Sequence, residues 1–557
     1  MKELFGQKYV APLTTLWQSE KSFFGLGKQN SFIFYLLCMI HSKTTTVSLR
    51  SLKYAILFLS VLCSLFILQS CRKPKSEIGK ELFKETRNSI FKKVENDAYT
   101  EVFKKVLSEQ KAGLRNPKLI EAFYIQNEYE PLMLMQHLPK EQLKVLGDHL
   151  NKAGAHGLSP EMFDAQRYNT LINKIYEKKA IKTVEEAYQV LAELELSTAN
   201  ELVSYSNALQ FGLVSPRKIY AQYFTKTKRP DSSSVMAVLA VKDLKAYLDS
   251  IQPKDKNYLT LQKALAEGVT APGMSKEETA RVMEVNMERL RWKNRNDDKK
   301  LVLVNIPDFK LDVIENGKSV LNMKVCVGEG RELKAGELRE YDEEDLKKDR
   351  PFNRETPQLG SLIHSVQVNP IWNIPESIAT KEISKHAAAD RYYLANNNID
   401  VYKDGKIVED PETIDWSAGD AGKIYAFKQR PGDDNSLGKI KFLFANESSV
   451  YLHDTPAKAA FKQNMRAVSH GCVRVEQPLE LARALFGPGA KFDLIKKEMA
   501  ETENQQAKDV ILPNKVPVYL TYFTCWADAN GTLQFRKDIY GQDIVLYSYL
   551  QKIIKAG

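Results

Sequence analysis

Between residues 82 and 267 apolar side chains recur at spacings of three and four, as in Leu143, Leu146, Leu150 and Ala153, with few Gly or Pro between them. That period is the one-sided stripe of packed α-helices. Within it, His156-Gly157 reads as a helix C-terminus followed by a turn. The pattern breaks at Gly268-Val-Thr-Ala-Pro-Gly273, and Ser275 with Glu278 has the spacing of a capping box, which predicts a connecting helix over 274–297. From Lys300 the period changes. KLVLVNI, FKLDVIE and KSVLNMKVCVG alternate or run apolar, and Glu315-Asn316-Gly317-Lys318 predicts a two-residue hairpin turn between the last two. Val366–Pro370 returns to strand, and residues 372–415 then interrupt the β pattern with helical and polar sequence. Val450–Leu452 reads as the end of a strand, Ala467-Val468 as the start of another, Pro478–Phe486 as a short helix, Val516–Trp526 as a strand and Asp538–Ile553 as strand into helix.

These patterns predict an α+β protein: a mainly helical N-terminal region over 82–267, then a β-rich domain over 300–500 interrupted by an insertion at 372–415. Residues 501–557 form a C-terminal strand and helix segment that completes the fold. A chain of 557 residues exceeds what one hydrophobic core usually supports, in keeping with several domains. Composition is ordinary, 43% hydrophobic and 27% charged, so a sizeable core can form. The net charge of +10 owes much to residues 1–70, which hold seven Lys/Arg against two Asp/Glu. What remains is too mild to argue for nucleic acid. Glu337–Arg350 is a dense run of mixed charge, which reads as a solvated insertion.

Ahead of the scaffold lies the uninterrupted apolar run Tyr54–Leu68, preceded by Arg50 and Lys53. It is short for a membrane span, which needs about 20 residues, and suits the core of a signal peptide. Leu68-Gln69-Ser70-Cys71 follows and resembles a bacterial lipobox, in which the Cys, here Cys71, is acylated and becomes the mature N-terminus. Residues 1–70 are then a presequence, with Met39 as an alternative start, and 71–81 a tether. A short uncleaved anchor is the competing reading, and both place the rest of the chain outside the cytoplasm.

Candidate chemistry concentrates in Val450–Val475, VYLHDTPAKAAFKQNMRAVSHGCVRV, which holds His453, His470 and Cys472. A free thiol has a pKa of about 8.5 and is only a few per cent thiolate near neutrality. A neighbouring imidazole can take its proton and lower that value. Backbone N–H groups around Gly471 and Cys472 can hold the oxyanion of a tetrahedral intermediate. A buried structural thiol among satisfied core histidines is the alternative for each residue alone; His, His-Gly-Cys and Arg474 in one window favour catalysis. A zinc site from His453, His470 and Cys472 lacks C-x-x-C or H-x-x-x-H spacing. Arg474 lies two residues past Cys472 and so shares its face on a strand, where it suits a substrate carboxylate or a structural salt bridge equally. Tyr451, two before His453, lines the cleft by the same period. Trp372 and Trp416 bracket the insertion and suit hinge packing, with Trp372 also a candidate substrate contact. Of six cysteines, Cys38, Cys63 and Cys71 belong to the presequence and its junction, which leaves Cys326, Cys472 and Cys525, with the pairing of Cys326 and Cys525 open.

HDT followed by SHGCVR resembles the active-site motif of the L,D-transpeptidase (YkuD-type) catalytic domain, which runs His, a spacer, Ser/Thr-His-Gly-Cys and a hydrophobic/Arg tail. NMERLRW at 286–292, VNPIWNIP at 368–375 and RPGDDNSLGKIKF at 430–442 resemble segments of the large YcbB-like subgroup. EAFYIQNEYEPL and LNKAGAHGLSPEMF resemble its helical scaffold, and the resemblance implies that the insertion at 372–415 caps the cleft. The resemblance implies Cys472 as nucleophile and His453 as general base, with His470, Gly471 and Ser469 shaping the nucleophile turn and oxyanion hole. It implies no cofactor and no metal. The substrates would be peptidoglycan stem peptides, as donor and acceptor, joined by 3→3 links through a cysteine thioester with loss of D-Ala. Carbapenem-type β-lactams would acylate Cys472. The protein would sit in the bacterial envelope, periplasm-facing and held to a membrane through lipid on Cys71. The gap between scaffold and catalytic domain is too short for the peptidoglycan-binding module of many relatives. A carboxypeptidase or thiol hydrolase on the same stems, and a non-catalytic wall-binding lipoprotein, remain as alternatives.

Overall fold

The computed structural model describes residues 74–294, 298–330, 348–350, 354–417 and 420–556. The presequence with Cys71, and most of the charged run Glu337–Arg350, lie outside the described residues. The chain divides after Lys73 into two units, of which Pro74–Gly557 has described structure. The tether predicted over 71–81 is already helical from Glu77, because Ser76 caps that helix by accepting from the Gly79 N–H at 3.1 Å.

The helical part winds around α1 (Val184–Phe211), a helix of 28 residues. Thr183 caps it, Glu185 and Glu186 sit in its first turn, and Gly212, at φ 74°, ends it. Leu, Val, Ala and Tyr cover most of its circumference, so helices pack on several sides rather than one. Of its two buried carboxylates, Glu195 and Glu201, the first has a clear structural use. Glu195 accepts from the Met133 and Leu134 N–H groups, 2.9 and 2.8 Å, at the start of helix Leu132–His137, and from the Tyr124 hydroxyl at 2.8 Å. Burial pushes its pKa up to about 7 despite those bonds.

The connecting helix is α2 (Lys276–Arg291), with Ser275 accepting from the Glu278 N–H at 3.1 Å. It is sewn to the end of the chain by buried polar contacts. Arg289 pairs with Asp543 at 2.5 Å, and the Asn286 side chain donates to Thr524 Oγ1 at 2.7 Å and accepts from its N–H at 3.0 Å.

The β-rich part is a nine-stranded sheet in the order β11-β3-β12-β10-β9-β4-β13-β1-β2. Its members are β1 (Lys300–Asn305), β2 (Lys310–Glu315), β3 (Lys318–Gly328), β4 (Leu359–Val368), β9 (Ile440–Phe444), β10 (Leu452–His453), β11 (Ala467–Ser469), β12 (Val473–Val475) and β13 (Lys508–Thr521). Since β2 pairs with both β1 and β3, the sheet closes on itself, and β11 is left paired to β3 alone. Alternate residues such as Val302, Val304, Leu311, Val313 and Val325 fill the interior. The hairpin predicted at Asn316-Gly317 is present, with φ 49° and 78° and Glu315 opposite Lys318. Helix α3 (Pro478–Phe486) has the predicted bounds.

Three elements differ from the sequence expectation. Strand β13 begins at Lys508, eight residues before Val516, because a register shift between Ile511 and Val516 absorbs Pro513 as a bulge. It stops at Thr521, and Trp526 belongs to a separate two-stranded ribbon, β14 (Cys525–Ala527) with β15 (Leu533–Phe535). No strand starts at Asp538. That carboxylate instead caps helix α4 (Gln542–Ala556), accepting from the Gln542 and Asp543 N–H groups at 2.9 and 2.8 Å. The insertion, finally, is more than helical and polar sequence. It has its own sheet, β5-β8-β6-β7, from β5 (Trp372–Ile374), β6 (Ile399–Lys403), β7 (Lys406–Ile407) and β8 (Ala426–Gln429). The cap therefore runs past Asp415 to Gln429, around a small core holding Trp416 and Phe427. Cys326 and Cys525 are buried and unpaired.

Candidate active site

Three short strands build the site. In the parallel pair β10/β12, Leu452 faces Val473 and His453 faces Arg474, and the Val473 N–H donates to the Tyr451 carbonyl at 3.1 Å. Side chains alternate along each strand, so Tyr451 and His453 share a face with Cys472 and Arg474. All four line one cavity of about 310 Å³, whose opposite wall comes from the cap through Trp372, Glu382 and His386. Two larger hollows on the helical part, about 640 and 680 Å³, contain no Cys or His.

His453 is buried, and its Nδ1 donates to the Asp454 carbonyl oxygen at 2.5 Å. That bond fixes the tautomer and leaves Nε2 as the acceptor. Burial first, then the nearby Arg474 charge, lower its pKa to about 4, so the ring is neutral at pH 7. The Asp454 carboxylate does not orient the ring. It accepts from the Lys439 N–H at 2.9 Å and pairs with Lys458. Gly438 makes room for it: at φ 60°, a Cβ there would stand 2.5 Å from the carboxylate.

The thiol differs from its sequence expectation. No hydrogen bond joins Cys472 to His453. The Tyr451 backbone and hydroxyl and the nearby Arg474 charge favour its anionic form. Burial outweighs all three, and the thiol titrates above its ordinary value rather than below it. Trp372 of the cap lines the same cavity as Tyr451 and Cys472. Arg474 forms no salt bridge among the described residues, and its Nε has no partner. Directly across the sheet from His453 stands Lys441, a partly buried amine that sequence reasoning missed and whose pKa burial lowers.

The nucleophile turn is tied from several directions. Ser469 Oγ donates to the Cys472 carbonyl at 2.6 Å and accepts from the Gly471 N–H at 3.2 Å. The Gly471 N–H is therefore engaged, and the Cys472 N–H is the donor with no partner among the described residues. Gly471 has φ 117°, which side chains rarely adopt, while its surroundings would tolerate a Cβ; the backbone angle is what demands glycine. Thr356 Oγ1 donates to the Gly471 carbonyl at 2.8 Å, and His470 Nε2 meets Glu382 Oε1 at 2.7 Å. No sequence signal pointed to Thr356 or Glu382, each about a hundred residues from the turn. Among the described residues no group of three or more His, Cys, Asp or Glu is arranged to hold a metal ion.

A closed β-rich domain that carries His453 and Cys472 on neighbouring strands under a cap defines the class, and the comparisons agree. Residues 299–486 match the L,D-transpeptidase catalytic domain, YkuD, and residues 118–265 match the scaffold domain. The 299–486 segment is thus similar to the YkuD L,D-transpeptidase catalytic domain. It is similar to a putative L,D-transpeptidase of Haemophilus influenzae, 29% identical over 324 residues that make up 58% of this chain and 60% of that protein. The chain thus matches less than two thirds of that relative's length.

Proposed function

We propose that this protein is a peptidoglycan L,D-transpeptidase that makes 3→3 cross-links. Cys472 attacks the carbonyl of the third, L-configured residue of a tetrapeptide stem, and His453 Nε2 takes the thiol proton. The carbon–nitrogen bond to the terminal D-Ala breaks, that amine leaves with the proton, and a thioester remains on Sγ. The side-chain amine of a second stem's diamino acid then attacks the thioester, giving an amide and restoring the thiol. Two thioester steps replace one difficult amide exchange. The Cys472 N–H faces the developing oxyanion, and Tyr451 and Arg474 favour negative charge at sulfur. With its charge unpaired, Arg474 suits a substrate carboxylate.

The observation that carries this reading is the His453–Cys472 face, with its fixed imidazole tautomer, inside a cavity roofed by the cap. Carbapenem-type β-lactams, which carry a strained acyl group, would acylate Cys472. We also propose lipidation at Cys71 and a periplasm-facing location; no helix among the described residues is long and apolar enough to cross a membrane. Labelled palmitate incorporated by the intact chain and lost in Cys71→Ala tests that anchor.

The test of the activity is incubation of the purified protein with disaccharide-tetrapeptide, followed by mass spectrometry, beside Cys472→Ala. A cross-linked dimer lacking one D-Ala, absent from the variant, is the expected product. Tripeptide alone would make the protein a hydrolase. No product and no acylation by a carbapenem in folded protein would leave a wall-binding lipoprotein.

A further inference from the structure

Among the described residues, one carboxylate of the cap, Glu382, hydrogen-bonds the nucleophile turn. Glu382 lies in the π-helical turn Ala379–Ile383 of the cap, a local widening of the helix that redirects side chains. Its Oε1 takes two bonds at once, from His470 Nε2 and from Arg354 Nη2, both 2.7 Å. Arg354 gives its other nitrogen to Glu329 Oε1 at 2.7 Å, just past the end of β3. The Glu329 N–H donates to the Ser469 carbonyl at 2.9 Å, which returns the chain of contacts to the turn. Cap, barrel strand and nucleophile turn thus meet in four side chains. Each is about a quarter to a third exposed, so the network is open to water and able to part.

We propose that Glu382 is a positioning residue for the Cys472 turn: its carboxylate orients His470 as the Nε2–H form and, with Arg354, clasps the cap over the thiol. The two histidines of the site are then set in opposite tautomers, His453 by a carbonyl at Nδ1 and His470 by a carboxylate at Nε2. A peptide stem enters when the clasp opens, and His470 returns to the same orientation when it closes. This role rests on the acyl-transfer reading of Cys472, but its signature does not need turnover.

The experiment compares alkylation of Cys472 by iodoacetamide and by a bulky maleimide in the intact protein, in Glu382→Ala and in Arg354→Met. Both thiol reagents work whether or not the protein is a transpeptidase. Releasing two partly exposed charge-assisted bonds should raise the bulky-to-small rate ratio about tenfold in Glu382→Ala. Arg354→Met, which leaves the His470 bond in place, should give a smaller rise. In selectively ¹⁵N-histidine-labelled protein, His470 should lose its uniform Nε2–H signature in Glu382→Ala and keep it in Arg354→Met. A merely structural Glu382 would lower the melting temperature without moving either readout. Wild-type ratios and an unchanged His470 signature in folded Glu382→Ala overturn the proposal. If that variant does not fold, an unchanged ratio in Arg354→Met overturns the clasp. These effects in the variants, together with a wild type that forms no cross-link, would overturn the transpeptidase reading and leave the clasp standing.

Discussion

Tyr540→Phe removes one oxygen, and the structure says what that oxygen does. The Tyr540 hydroxyl accepts from the Thr356 N–H at 3.1 Å and donates to the Gly328 carbonyl at 2.8 Å. Both Tyr540 and Thr356 are 1% exposed, so water cannot replace the lost partner. Thr356 Oγ1 in turn accepts from the Gly328 N–H and donates to the Gly471 carbonyl, each 2.8 Å. Phenylalanine keeps the ring, its packing and its 5.6 Å stack on Tyr522, so no cavity confuses the result. A buried polar group left unpaired costs about 1–3 kcal/mol, and at about 1–2 kcal/mol for each of the two orphaned here the loss is ~2–4 kcal/mol together. At about 1.4 kcal/mol per tenfold, local opening should become roughly 30- to several-hundred-fold more frequent.

Hydrogen exchange followed by mass spectrometry reads this directly in the peptides spanning 354–359 and 469–473. Faster exchange in both, with the helical part unchanged, is the expected result. Cys472 acylation should slow with it, because Gly471 is held by the same hydroxyls. Faster exchange confined to 354–359 would mean that Thr356 is not a prop for the turn. Unchanged exchange in both segments would refute the network as a source of rigidity.

Three further outcomes follow from buried groups. In Tyr451→Phe the thiol loses a hydrogen-bond donor, so its pKa, already raised by burial, should climb further; iodoacetamide reaction at pH 7.5 should slow about tenfold, and an unchanged pH–rate profile would remove Tyr451 as a partner of the sulfur. His137 is wholly buried with no partner on either ring nitrogen, and burial lowers its pKa to about 4. The unfolded chain therefore binds the proton first, and stability attributable to this group, full above about 6.5, is lost as pH falls towards 4. His137→Leu should raise stability by about 1–2 kcal/mol at pH 7.5 and flatten the acid side of the denaturation-midpoint profile; an identical slope would count against it. Among Cys326, Cys472 and Cys525, a thiol-reactive dye should label Cys472 first in folded protein and the other two only on unfolding, since both are 0% exposed.

The sequence is explicit where local rules act alone. A change of apolar period at Lys300 marks the passage from helices to barrel, and Asn316-Gly317 supplies the positive φ angles of a two-residue hairpin. His453, His470 and Cys472 stand out because three reactive types share one short window. What was not legible depends on partners distant in the chain. The cap's strands are two to five residues long, and β7 is exposed on both residues, so period-two patterning has too little length to register. Strand β13 hides its start behind Pro513 and an exposed Ile511. Asp538 looked like strand and is a helix cap, a role set by where α4 begins. The thiol's pKa had the wrong sign in the sequence reading, because proximity to an imidazole can be inferred from a motif while depth of burial cannot.

That last difference bears on how the site works. A thiol raised by burial beside a neutral imidazole gives a resting pair without charge separation, and the cap is part of the reason. Opening the cap would hydrate Cys472 and weaken the desolvation that dominates its titration. Under the cap, Trp372 lines the cavity with Tyr451, and Glu382 bonds His470. The turn itself cannot hold its shape by local forces alone, since Gly471 at φ 117° lies where few residues rest. It is held by Ser469 from within, by Thr356 and Tyr540 from the barrel wall and C-terminal segment, and by Glu382 from the cap. A backbone so over-determined keeps its geometry through a reaction cycle. The one tie among these that solvent can reach is Glu382, and it is there that a peptide entering the cavity would have to loosen the structure.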